Sequence, residues 1–150
     1  MINPNDSYLV YTDGSCWHGD RIGAYAWVAI DGEGNELMDG GVERDSTITR
    51  MELWGPIAAL ETIYEINGPS VVLVYSDSEI VVKGITDRSR ARRVAHDLWE
   101  WLDDLVDSHE LVVFEHVRGH NGDHYNEMVD VHAGKLRREA QAYADPSSQS

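Results

Sequence analysis

Two aspartates stand where acids are not expected. Asp13 closes the apolar run "YLVYTD" and Asp77 closes "VVLVYSD". Two further acids mark helix starts: Glu52, in the first turn or two of one amphipathic segment, and Asp130, one turn into the last. These four are too far apart in sequence to meet except through the fold. An open sheet brings strand ends and helix starts to one edge, where ligands commonly bind. Carboxylates gathered there repel one another and need neutralising. Hard divalent cations with oxygen ligands do this, Mg²⁺ being the usual choice. Two such ions about 4 Å apart can clamp the attacking and leaving oxygens of a phosphoryl displacement. Against this stands the bland reading that most of the 27 acids are solvated surface.

A second candidate is "RGHNGDHYNEMVD", Arg118 to Asp130, which holds two His, two Asn, two Asp and a Glu. His116, His120 and His124 are spaced by four, as zinc ligands on one helix face would be. Gly119 and Gly122 interrupt that segment, however, and His116 falls in a strand pattern. Asn126 is placed to cap the final helix, which leaves Asp123 and His124 as exposed loop residues.

The elements that must position these groups follow from hydrophobic periodicity. Strands are expected at Tyr8 to Asp13, Ala24 to Ile30 and "ELMDGGVE". The last two should form a hairpin about the turn Asp31 to Asn35. A helix follows over Thr49 to Ile66, with Pro56 predicting a kink or a late start and "NGPS" a stop. "VVLVYSD" reads as a strand covered on both faces, Ser78 to Ile85 as a short helix and Arg92 to Val106 as a longer one. Glu110 to Val117 is a fifth strand, Asn126 to Tyr143 the last helix and Asp145 to Ser150 a frayed polar tail. The order predicts an α/β fold, a mixed sheet with helices on its faces.

Bulk properties set limits. A length of 150 residues fits one domain. The apolar runs are too short to span a bilayer, and "MINPNDS" lacks the pattern of a secretory signal. One cysteine, Cys16, excludes an internal disulfide and fits a reducing compartment, so a cytoplasmic protein is expected. Its ordinary role would be small buried filler. The net charge of −15 opposes nonspecific attraction to a polyanion.

Four blocks, "YTDGSCW", "TRMELWGPIAALE", "VYSDSEIVVKGI" and "VRGHNGDHYNEMVDVHAGK", occur in this order. They resemble the four sequence blocks of ribonuclease H, type 1, over about residues 7 to 143. The resemblance implies a five-stranded mixed sheet with strands one to three antiparallel, in a single domain over residues 1–144. It implies cleavage of the RNA strand of RNA–DNA hybrids with two Mg²⁺ ions, or Mn²⁺, leaving 5′-phosphate and 3′-hydroxyl ends. It maps the metal-binding acids onto Asp13, Glu52, Asp77 and Asp130, and a mobile histidine that assists proton transfer or product release onto His120. Glu127 corresponds to an acid lying one layer behind the ligands. A monomer is the family's default.

Substrate positions match less well. Ile48 and Thr49 stand where many members carry Asn or Gln, Gly19 where an Asn is frequent, and Glu79 where a Gln is common. Gly14 and Ser15 remain candidate substrate contacts, together with Thr49. The Lys- and Trp-rich helix and loop that many bacterial members carry between the third and fourth blocks is missing. Arg88, Arg90, Arg92 and Arg93 form the positive cluster that could take its place against the DNA strand's phosphates; the alternative is a solvated helix start. Trp99 and Trp101 read as packing residues of an amphipathic helix rather than base-stacking ones. Two other functions stay open: a binding module that keeps the fold with weak or altered nuclease activity, and the three-histidine zinc hydrolase.

Overall fold

The computed structural model describes residues 6–87, 92–118 and 123–144. Its five strands are β1 (Ser7–Cys16), β2 (Gly23–Asp31), β3 (Glu36–Glu43), β4 (Val71–Ser76) and β5 (Leu111–His116). The helices are α1 (Ile48–Asn67), α2 (Glu79–Thr86), α3 (His96–Ser108) and α4 (His124–Ala144). One sheet runs in the order β3-β2-β1-β4-β5. β1 to β3 are antiparallel, while β4 lies parallel to β1 and β5 parallel to β4. The expected mixed α/β sheet with three antiparallel strands at its start is therefore what the chain forms.

Alternation along β2 explains the two layers. Trp27 and Ala29 join the larger core with Leu53, Ile57 and Leu60 of α1 and Leu98 and Leu102 of α3. Ala26, Val28 and Ile30 point the other way, against Val129 and Ala133 of α4. A strand buried on both faces needs apolar residues at both parities, and "AYAWVAI" supplies them. β3, on the outer edge, is mostly exposed and carries Glu36, Asp39 and Glu43. Trp99 is buried in the larger core, and Trp101 packs edge-on against Trp54 at 5.1 Å.

Four of the differences from the sequence expectation have a visible local cause or partner. α1 begins at Ile48, with the Thr47 side chain accepting from Arg50 N, and runs without interruption through Pro56 to Asn67. Pro56 thus does not delay the start. β1 does not end at Asp13 but continues to Cys16, still paired with β2. α3 begins at His96, not Arg92, because Ala95 adopts a left-handed backbone, φ 58°, immediately before it. The cap of α4 is Asp123, not Asn126: its Oδ1 accepts from Tyr125 N and Asn126 N at 3.0 and 3.1 Å. Asn126 is instead buried.

His109 closes the bottom of the larger core. It is buried; its Nδ1 accepts from Ser70 N at 3.2 Å and its Nε2 faces the Leu60 carbonyl at 2.9 Å. With Nδ1 accepting, Nε2 must carry the proton and donate, which fixes one neutral tautomer. The ring so joins the body of α1 to the residue that precedes β4. His109→Ala should leave the buried Ser70 N–H without its acceptor and lower stability by about 1–3 kcal/mol, read as a fall in the thermal midpoint.

Candidate active site

Strand register brings two of the acids together. The parallel pairing of β1 with β4 ends at Thr12↔Ser76, so Asp13 and Asp77 are the next residues of neighbouring chains. β4 leaves the sheet there while β1 stays paired to β2 through Cys16. Asp13 therefore lies where the sheet loses one strand.

Glu52 arrives from α1 because α1 lies almost on β1. A Cβ added to Gly14 would sit 2.7 Å from the Glu52 nitrogen and from the Met51 carbonyl carbon, and one on Gly55 would sit 3.0 Å from Thr12 Cβ. Two glycines, one on each element, remove the side chains that would hold strand and helix apart. Asp13, Glu52 and Asp77 consequently each present an oxygen within 4.8 Å of the others. Asp130, exposed on α4, joins from the rim by a side-chain hydrogen bond with Asp13.

Crowding and burial change the acids' chemistry. Asp13 is pushed up to about 8, first by burial, then by the charge of Asp77 and the hydrogen bond and charge of Asp130, with the Gly14 N–H opposing. Glu52 is pushed up to about 9 by burial, then by Asp77 and Asp13. Glu52 Oε2 is buried and meets no hydrogen-bond donor among the described residues. An all-oxygen set with an orphaned buried carboxylate oxygen fits a hard divalent cation. It does not fit a soft one.

A second ionic network holds α1 in register. Arg50 Nε donates to Glu43 Oε1 at 2.7 Å, and its Nη1 donates to Asp97 Oδ1 on α3 at 3.0 Å. Trp54 Nε1 donates to Glu43 Oε2 at 2.9 Å. Burial alone would raise Glu43, but hydrogen bonds from Arg50, Ser46 and Trp54 hold it below the usual range. The Arg50 hydrogen bond likewise lowers Asp97. Sequence reading passed over Arg50, although it stands two residues before Glu52 in the quoted "TRMELW" block.

The remaining candidates are placed as follows. Ser15 Oγ accepts from Arg137 Nε of α4 at 2.8 Å. Gly14 is needed for the approach of α1. Glu127, exposed, opens onto a groove over β3 with Met38, Met128 and Val131. Thr49 and Arg93 line a groove of about 470 Å³ with Lys83 and Asp87. Arg92 is turned inward onto Asp103, so it is not displayed for phosphate contact. Glu79 is exposed beside Lys83, 3.5 Å away. Cys16 is half-buried rather than core, lining a groove with Trp17 and Ile48. Gly19 packs on the Trp17 ring. His120, Arg88 and Arg90 lie outside the described residues. His116 Nε2 lies 3.2 Å from the Asp77 backbone carbonyl. Among the described residues, the group with metal-ligand spacing is Asp13, Glu52 and Asp77, with no histidine in it.

Carboxylates gathered where two parallel strands part, at the edge of a mixed sheet, define a carboxylate-centred hydrolase. Comparison with known proteins gives its family. The RNase H family model matches residues 5–138. The ribonuclease H of Neorickettsia sennetsu is 37% identical over 152 residues, covering 93% of this chain and 97% of that protein. The ribonuclease H of Thermosynechococcus vestitus is 38% identical over 141 residues, covering 86% and 87%. Among solved structures, the N-terminal RNase H domain of a Mycobacterium tuberculosis protein superposes with a TM-score of 0.80 at 18% identity, over 93% of this chain and 99% of that one. RNase H1 of the halophilic archaeon Halobacterium salinarum gives 0.73 at 23% identity, over 89% and 98%. The chain belongs to the ribonuclease H family and is an enzyme of that family. No helix among the described residues is long and apolar enough to cross a membrane.

The raised acids make metal-free stability depend on pH. Folded Asp13 and Glu52 keep protons up to about 8 and 9, whereas their ordinary values are 3.8 and 4.5. Between those limits the folded state binds more protons than the unfolded state, so stability falls as pH rises. In a chelator, the thermal midpoint should fall from pH 5 to pH 9. Mg²⁺ should restore it most at the alkaline end, because cation and protons compete. Glu52→Gln should flatten the slope; a chelated wild type with a flat profile would contradict the buried cluster.

Proposed function

We propose that the chain hydrolyses the RNA strand of RNA–DNA hybrids with two divalent cations, Mg²⁺ in preference and Mn²⁺ as a substitute. The products would carry 5′-phosphate and 3′-hydroxyl ends. The observation that carries this reading is the convergence of Asp13, Glu52 and Asp77, with Asp130 beside Asp13, in a chain of this family. Asp13, Glu52, Asp77 and Asp130 would hold the cations. Bound there, divalent cations supply Lewis acidity at the scissile phosphate, activating water and offsetting charge on the leaving oxygen.

The protein's own groups do the rest. Asp13 and Glu52 would give up their protons when they hold a divalent cation. Asp130, exposed on α4 beside Asp13, would complete the ligand set. The groove beside Thr49, Lys83 and Arg93 offers cationic contacts for the DNA strand's phosphates. Backbone amides near Gly14 and Ser15 are the groups suited to 2′-hydroxyls, by which RNA is told from DNA. His120 would carry a proton between the site and solvent, and Glu127 would support the ligand set from one layer out. Residues 1–144 would act as a single domain, followed by a polar tail over 145–150, and the enzyme as a cytoplasmic monomer.

The test is incubation with hybrid, double-stranded RNA and single-stranded RNA, with and without Mg²⁺. The hybrid alone should be cut, and only with the cation. Hybrid binding without cleavage at modest salt would replace the enzyme reading with that of a binding module. Zn²⁺ dependence would bring back the three-histidine alternative. Asp13→Asn should bring cleavage to background while the fold persists by circular dichroism. His120→Ala should retain activity but slow turnover by roughly 10²-fold.

A further inference from the structure

The geometry points to Arg92 as a positioning residue for substrate binding, acting through Arg93; this rests on the hybrid-cleaving function proposed above. Each of the three Arg92 guanidinium nitrogens donates a hydrogen bond. Its Nε donates to the Gly84 carbonyl at 3.0 Å, Nη2 donates to Asp103 Oδ1 at 2.7 Å and Nη1 donates to Asp103 Oδ2. Its plane lies 4.3 Å from the centroid of the Trp99 ring. Only 11% of the side chain is exposed. A planar fork with five donors suits this combination of bidentate pairing and stacking, which a lysine could not reproduce. Gly84 contributes by having no side chain, since a Cβ there would run into the Trp99 ring.

The partners belong to two helices: Gly84 to α2, Trp99 and Asp103 to α3. Arg92 therefore ties α2 to α3 just before the chain enters α3. Consecutive side chains leave a non-helical backbone in different directions. With Arg92 held inward and Ala95 fixed at φ 58°, Arg93 is exposed and lines the groove together with Thr49, Lys83 and Asp87. Arg93 has no ion pair among the described residues. In a chain of net charge −15, one correctly aimed arginine is a large fraction of the attraction available to a phosphate strand. The division of labour is thus that Arg92 sets the wall and Arg93 meets the polyanion.

The experiment is steady-state cleavage of an RNA–DNA hybrid in Mg²⁺ by wild type, Arg92→Ala, Asp103→Asn, Arg93→Ala and the Arg92→Ala/Arg93→Ala double variant. Arg92→Ala should raise KM by roughly fivefold with kcat within about twofold, and Arg93→Ala should raise it by at least as much. In the double variant the Arg92 effect should disappear. The slope of log affinity against log salt should shrink by about one unit in Arg92→Ala as in Arg93→Ala, which loss of stability alone would not produce. Arg92→Lys should fail to rescue. An unmoved KM in Arg92→Ala, or increments that multiply in the double variant, would overturn the inference. If Arg92→Ala does not fold, Asp103→Asn opens the same clamp from its other side and carries the same expectations. If wild type binds hybrid without cutting it, the function reading fails separately, and dissociation constants in place of KM still decide the role of Arg92.

Discussion

Mutual repulsion among three carboxylates is the constraint to which the rest of the molecule answers. Asp13, Glu52 and Asp77 crowd their oxygens within 4.8 Å, and burial and one another's charge push two of them up into the alkaline range. No gain in stability accounts for such an arrangement, so the surrounding packing has to hold it in place. β1 supplies one acid from the middle of the sheet and β4 another by parallel register. α1 is pressed onto β1 at Gly14 and Gly55 to deliver the third. The Arg50 network pins that helix from its far side to Glu43 and Asp97.

α3 links these demands. Asp97 in its first turn receives Arg50, two residues from Glu52, while Asp103 one turn and a half later receives Arg92. One rigid element so braces both the helix that carries an acid and the connection that borders the cationic groove. Rigid secondary structure holds such groups in place better than loops do. Among the described residues, Arg50–Glu43 and Arg92–Asp103 are the least exposed ion pairs, and shielding from water makes such pairs worth more than exposed ones.

Much of this was legible in the sequence, for identifiable reasons. Acids that close apolar runs marked Asp13 and Asp77, and strand periodicity gave the sheet, because burial on both faces writes itself into "AYAWVAI"; "VVLVYSD" reads the same way, yet β4 is fully buried on one face only. What escaped was whatever depends on a second element. Nothing local says that Asp123 rather than Asn126 caps α4, since both are good capping residues and only the backbone path decides between them. Pro56 predicted a kink or a late start, yet α1 begins eight residues before it, where Thr47 caps the helix. Arg92 and Arg93 read alike as members of a basic cluster; their opposite orientations follow from Gly84, Trp99 and Asp103, none of which is adjacent in sequence. The early end expected for β1 failed for the same reason: its partner β2 outlasts β4, and a strand extends as far as its longest neighbour.

The outer edge of the sheet has a consequence of its own. β3 is the terminal strand, and its backbone would be an open template for strand addition by another chain. Glu36 and Asp39 lie exposed along it, and a like-charged copy approaching in register would bring these carboxylates face to face. The edge therefore protects itself against self-templated aggregation with the same charge that makes the whole chain reluctant to approach nucleic acid. Neutralising that edge to improve substrate affinity would carry a risk of fibrillar assembly.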